Sequence, residues 1–285
     1  MARRPVPLTA ALVAAALVLL TLGPVALLAL RGRGWPDGAD LAALRFTLEQ
    51  AALSAALSVA LAVPVARALA RRRFPGRGAL ILLMGAPFLL PAVVAVLAVL
   101  SVFGGNGWLA RLGVPMPPVY GLQGVVLAHV FLNLPLAVRM ILLGWQSIPE
   151  PRLRLAASLG FDARATFRHL ERPMLRDVAP GALLTVFLLC MTSFAVALTL
   201  GGGPAATTLE LAVYQAVRFD FDLPRAAMLA AMQVAVSAAA LALAAGLGRG
   251  AGFGAGGAGG LARLAPGGWR RGADAAALAL AALFV

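Results

Sequence analysis

The sequence is poor in the residues on which most enzymes and metal proteins depend. Among 285 residues there is one cysteine, Cys190, and it lies inside an apolar run. Neither a disulfide nor a thiolate metal site can be built from it. The two histidines, His129 and His169, are too few and too scattered for a metal cluster. Lysine is absent, so all 24 basic side chains are arginine. Charged residues make up only 12% of the chain, against 61% hydrophobic residues and a mean hydropathy of +0.92. A soluble domain of this length could not cover so much apolar surface, so lipid is the solvent for most of it. A net charge of +13 would ordinarily point to nucleic acid. Here the arginines sit between apolar runs instead of along one face, which is a pattern of membrane orientation. No nucleic-acid partner is expected.

A helix needs about 20 apolar residues to cross the hydrocarbon core. Six runs meet that test: roughly 8–30, 41–70, 78–103, 121–144, 179–200 and 223–248. Backbone in lipid must satisfy its own hydrogen bonds, so the expected fold is an all-α polytopic membrane protein. Pro64, Pro87, Pro91 and Pro135 fall inside these runs, where neighbouring helices absorb the kinks. The first run follows a basic start, as a signal peptide does, but it is longer than a signal core and lacks an obvious cleavage site. It reads as a retained span. The arginines of "MARR", of "RRRFPGR" (71–77), of the segment 145–178 and of the region after 248 lie on one side. The alternate loops carry fewer, so the amino terminus and the long loop are expected to be cytoplasmic.

The transmembrane unit is therefore expected over 1–248, followed by a Gly-rich linker over 249–272. The run 273–285 is too short to span. It reads either as a hydrophobic tail or, preferably, as the start of a truncated seventh span.

The loop of about 145–178 reads as one or two short amphipathic helices. Leu153, Ala156, Ala157 and Gly160 can share one face, and Ala163, Phe167 and Leu170 another, with arginines opposite. Pro149 and Pro151 suit a helix start and Pro173 a stop. Such a loop could lie in the headgroup layer or dock in a partner's groove.

The loop resembles the coupling motif of ABC importer permeases, Glu-Ala-Ala, three residues, Gly, nine residues, Ile-x-Leu-Pro. Ala156, Gly160 and Pro173 match it, with Leu159 before the glycine and Leu170 in the Ile place. Arg154, Leu155 and Arg172 depart from it. "YGLQGVVLAHVFLNLPLAVRMIL", "RRRFPGR" and above all "MTSFAVALTLGGGPAATTLELAVYQAVRFDFDLPRAAMLA" resemble the thiamine importer permeases. Permeases for ferric iron are the nearest alternative.

The resemblance implies a six-span permease unit of the type I importer class in the inner membrane of a bacterial cell. It implies a cytoplasmic ATPase dimer that holds ATP and Mg²⁺, a periplasmic binding protein and a second six-span half, fused or separate. It implies no cofactor on this chain and no catalytic role. The coupling residues would be Arg154, Leu155, Ala156, Leu159, Gly160, Phe167, Leu170 and Pro173.

The run of three glycines, Gly201, Gly202 and Gly203, is not a phosphate loop, because that motif needs a lysine. Placed by topology, it ends the fifth span at the outer face, and Thr207 or Thr208 caps a short outer helix through Glu210 and Tyr214. These residues read as an outer gate or a binding-protein contact. His129 and Asn133, four apart in the fourth span, mark either a pathway or interhelical hydrogen bonding. Glu49, the one acid placed inside a span, is expected to pair with Arg45. An ion-coupled carrier would need acidic or histidine relays that these spans nearly lack.

Overall fold

The computed structural model describes residues 8–32, 34–72, 74–85, 90–115, 118–203, 206–247 and 270–283. Every regular element among them is helical. In order they are α1 (Leu8–Arg31), α2 (Gly38–Arg71), α3 (Arg77–Leu83), α4 (Ala92–Phe103), α5 (Trp108–Arg111), α6 (Leu122–Gln146) and α7 (Glu150–Ser158). There follow α8 (Ala163–Thr166), a π turn (Phe167–Glu171), α9 (Arg172–Met191), α10 (Phe194–Leu200), α11 (Leu209–Arg218), α12 (Leu223–Leu247) and α13 (Arg270–Leu283). Among the described residues five helical stretches are long and apolar enough to cross a membrane: Gly38–Arg71, Ala92–Arg111, Leu122–Gln146, Ala163–Met191 and Leu223–Leu243. The remaining predicted run, 8–30, forms α1.

Helix α2 is the axis of the bundle and packs along α6 and α9. Its start is set by a capping box: the Asp37 carboxylate accepts from Asp40 N at 2.8 Å, and Asp40 returns the bond to Asp37 N at 3.1 Å. The bond from Asp40 N–H holds the Asp37 carboxyl below its ordinary pKa. The faces of α2 are inverted relative to a water-soluble helix. Gln50, Ser54 and Ser58 are wholly buried, while Leu53, Leu57 and Leu61 are 42%, 40% and 37% exposed. Only an apolar solvent makes that arrangement favourable. In lipid, leucine gains nothing by burial, and small or polar residues gain by meeting other helices. Ala51, Ala55, Ala62 and Ala66 are fully buried on the same seam and let the backbones approach. The main core joins α2 to α6 and α9 through Leu69, Leu134, Ile141, Val186 and Met191. A second core joins α4, α6 and α10, and a third joins the start of α2 to α11 and α12.

Several expected boundaries are corrected. The third run is not one helix: α3 ends at Leu83, and α4 starts after Pro91, which stands at its N-cap. Proline cannot donate the backbone bond that an unbroken helix would need there. Pro87 lies outside the described residues, as does 248–269, which holds most of the expected linker. The fifth run, placed at 179–200, belongs to a helix that already begins at Ala163 and breaks at Thr192–Ser193 before α10. Pro173 does not stop a helix. It lies two residues after the π turn, inside the continuous helical stretch Ala163–Met191. Helix α13 has 14 residues and lies against α2, tied by an Arg72–Asp274 ion pair of 2.8 Å. Pro64 and Pro135 do lie within helices, as expected.

The close approach of α6 and α9 depends on Gly144. A Cβ there would stand 2.7 Å from Met174 Sδ and 2.8 Å from Val178 Cγ2. Gly144→Val should therefore lower stability by about 1–3 kcal/mol through overpacking, read as a lower unfolding temperature in detergent. Gly78→Ala, where a Cβ meets nothing within 4 Å, should leave it nearly unchanged.

Candidate functional site

Three polar constellations stand out against the apolar bundle. The first lies at its centre. His129 Nδ1 is 3.3 Å from Ser54 Oγ, and Asn133 Nδ2 donates to His129 O at 2.9 Å and to Cys190 Sγ at 3.5 Å. Gln50 Nε2 donates to Cys190 O at 2.9 Å. Residues from α2, α6 and α9 thus meet in one interhelical network, as polar groups in lipid are driven to do. His129 and Asn133 are both buried; His129 meets Ser54 of α2 and Asn133 meets Cys190 of α9, while the bond from Asn133 to His129 O stays within α6. Gln50 and Ser54 were not singled out in the sequence, and Cys190 only as the lone cysteine. The spacing Gln50–Ser54–Ser58, a polar residue every fourth position inside an apolar run, was the available signal.

The second constellation lies at the α7–α8 end. Helix α7 starts at Pro149 and Glu150, with Arg154 paired to Glu150 at 2.8 Å. It ends before Gly160, whose φ of 68° makes the turn into α8. A Cβ at Gly160 would meet nothing within 4 Å, so the glycine serves the turn and not a close approach. Of the residues assigned to one face, only Ala156 is buried. Leu155 and Leu159 are 59% and 63% exposed, and Phe167 is partly so. The π turn adds a residue and rotates the following face. Thr166 and Glu171 consequently turn inward, in place of a plain Ala163–Phe167–Leu170 stripe.

Glu171 is the key residue of this end. Its side chain is 4% exposed and is held by two arginines of α2. Arg67 Nε bonds Oε2 at 2.9 Å, and Arg71 bonds Oε1 through Nε at 3.0 Å and through Nη2. Arg67 also lies over the Phe167 ring, 5.4 Å from its centroid. Sequence reading placed Glu49 as the one acid within a span. Glu49 does pair with Arg45 at 2.6 Å, but both are largely exposed. The buried acids of span-length helices are Asp40, which meets Arg225 at 2.7 Å, and Glu171. Both were hidden because their partners lie 185 and about 100 residues away in sequence.

The third constellation lies at the opposite end. Helix α10 ends at Leu200, and Gly202 and Gly203 adopt φ of 74° and 127°. A Cβ on Gly202 would stand 2.9 Å from Tyr120 Cβ, and Gly121 N donates to Leu200 O at 2.7 Å. The glycines therefore make a turn packed on the Tyr120–Gly121 loop. Thr208 caps α11, accepting from Leu211 N at 3.3 Å, while Thr207 bonds Gly203 O at 3.4 Å. Thr47 Oγ1 accepts from Leu209 N at 2.9 Å and ties α11 to α2. Glu210 and Tyr214, one turn apart on α11, line a cleft of about 410 Å³ with Thr192, Phe194 and Gln233. Burial raises the Glu210 carboxyl above its ordinary pKa, and the Phe194 backbone N–H opposes that shift.

This bundle has the fold of an ABC importer permease. It matches the solved structure of a bacterial ABC transporter involved in the import of the acidic polysaccharide alginate, at a TM-score of 0.67 over 85% of this chain and 94% of that one. Sequence identity in that match is 14%, so the likeness concerns the fold alone. No protein-family model matches the chain. In sequence, the chain is a homologue of the thiamine transport system permease protein ThiP. It is 47% identical to that of Brucella abortus (strain 2308) over 232 residues, covering 76% of this chain and 43% of that protein. The corresponding values are 47% over 205 residues for Escherichia coli (70% and 38%) and 40% over 210 for Haemophilus influenzae (72% and 39%). The chain thus spans less than half the length of the curated relatives it matches.

Removing Glu171 leaves Arg67 and Arg71 facing each other near the membrane without a counter-charge. Glu171→Ala should destabilise by about 3–5 kcal/mol, the usual cost of breaking a buried pair, with Glu171→Asp milder. Thermal unfolding in detergent reads both.

Proposed function

We propose that the chain supplies part of the membrane pathway of a bacterial ABC importer for thiamine or its phosphates. It is a transport subunit, and a separate ATPase hydrolyses ATP. The carrying observation is the 47% identity over 232 residues to thiamine transport permeases. In this reading α1 joins the five long helices as a sixth span, and the arginine-rich α7–α8 end faces the cytoplasm with the amino terminus. ATP and Mg²⁺ belong to the partner dimer, and a periplasmic binding protein delivers the substrate to the α11 end. A second six-span half completes the passage.

A coupling route follows from this reading. Exposed Leu155 and Leu159 on α7 offer an apolar knob to a groove on the ATPase. Helix α8 continues through the π turn into α9, so a push on the loop reaches a membrane span without crossing a flexible joint. The Glu171 clamp passes the same push to α2. Closure of the ATPase dimer then becomes a rigid-body tilt of packed helices, which opens the passage to one side and then to the other.

The test is uptake of radiolabelled thiamine into proteoliposomes holding the full-length permease, its ATPase and its binding protein. ATP-dependent uptake competed by thiamine pyrophosphate is the expected result, and uptake of ferric iron instead would overturn the reading. Leu155→Glu with Leu159→Glu changes only exposed positions. The pair should leave the unfolding temperature unchanged and lower binding-protein-stimulated ATP hydrolysis more than about tenfold, the effect of losing a central contact.

A further inference from the structure

We infer that the cleft beside α11 is a binding subsite for a flat, positively charged heteroaromatic ring, built from Glu210, Tyr214 and Phe194. This rests on, and deepens, the proposed transport of thiamine, a molecule with a cationic thiazolium ring.

Glu210 and Tyr214 are four residues apart on one helix, so their side chains lie on the same face. The Phe194 and Tyr214 rings are 5.2 Å apart and tilted at 59°, and Phe219 meets Tyr214 edge-on at 5.9 Å. Tyr214 is thereby braced from two sides, and its ring borders the cleft. A cation laid on an aromatic face is attracted by the ring quadrupole, increasingly so as water is excluded. Glu210 provides the counter-charge. It accepts from the Phe194 backbone N–H, and among the described residues no ion pair neutralises it, although the other half-buried or buried acids, Asp40, Glu150, Glu171 and Asp274, each have an arginine within 2.9 Å. A half-buried carboxylate with no cationic partner is costly, and a bound cation relieves that cost.

Other features fit the same ligand. The cleft is open on one side, and its volume of about 410 Å³ lies within the range of small-molecule sites, about 300–1,000 Å³. Gln233 borders the cleft with its Nε2 committed to Met191 O at 3.1 Å. A bare metal ion would require several oxygen ligands. One carboxylate beside two rings suits an organic cation. The cleft also adjoins the break between α9 and α10 at Thr192–Ser193. The glycine turn and Thr208 set α11 in place, so the gate residues read from the sequence become the frame of this subsite.

The experiment is equilibrium dialysis of the full-length permease, purified without binding protein or ATPase, against thiamine and against its uncharged aminopyrimidine half. Thiamine should bind, and the uncharged half should bind at least about tenfold more weakly, the equivalent of one cation–π contact with its counter-charge. Glu210→Gln should weaken thiamine by a similar factor and Tyr214→Ala by several fold, whereas Tyr214→Phe should bind like the wild type. Equal binding of the two probes, no binding of thiamine, or a Glu210→Gln protein that binds like the wild type would overturn the inference. The comparison of probes needs no substitution, so it decides the matter even if a variant fails to fold. Thiamine uptake by the assembled transporter keeps the two readings apart. Uptake without Glu210-dependent binding retires the subsite alone, and Glu210-dependent binding without uptake retires the transport reading alone.

Discussion

Lipid forms no hydrogen bonds, and the rest of this structure follows from that constraint. Each polar group within the bundle must find its partner on another helix or in its own backbone. The central network answers it with Ser54 and Gln50 on α2, His129 and Asn133 on α6, and the Cys190 sulfur and carbonyl on α9, leaving Gln50 Oε1 and His129 Nε2 without a partner among the described residues. The same constraint removes the usual reward for burying leucine, so α2 turns its leucines out and its alanines and serines in. Close approach of backbones, typified by Gly144 against α9, takes over the role that hydrophobic burial plays in water.

At the two ends of the bundle charge joins packing as a fastener. Asp37 and Asp40 receive Arg225 at one end, and Glu171 receives Arg67 and Arg71 at the other. Both clamps join α2 to a distant element: α12 in the first case and the start of α9 in the second. A helix held at both ends and packed along its length ties the two faces of the bundle together.

The sequence was most legible where a single period or a single residue type carries the signal. Long apolar runs located the long helices, apart from the bounds of the third and fifth runs. Pro149, Gly160 and Thr208 marked a start, a turn and a cap that the structure contains. Reading failed where two signals compete locally. Pro173 looked like a stop, yet the helical stretch Ala163–Met191 continues through it, and the π turn before it resets the helix phase. The third run looked continuous because hydropathy does not register the missing donor of Pro91.

The sequence by itself determined the solvent, the helical class and the kinship, because composition and local period need no knowledge of which helix lies beside which. Only the tertiary structure decided the partners. Glu171 lies about 100 residues from its arginines and Asn133 lies 57 from Cys190. Phe194 and Gln233 reach the cleft of Glu210 from separate helices. Such pairings depend on the rotation and depth of whole helices against one another. These are set by the summed packing of many small side chains, which no short stretch of sequence contains.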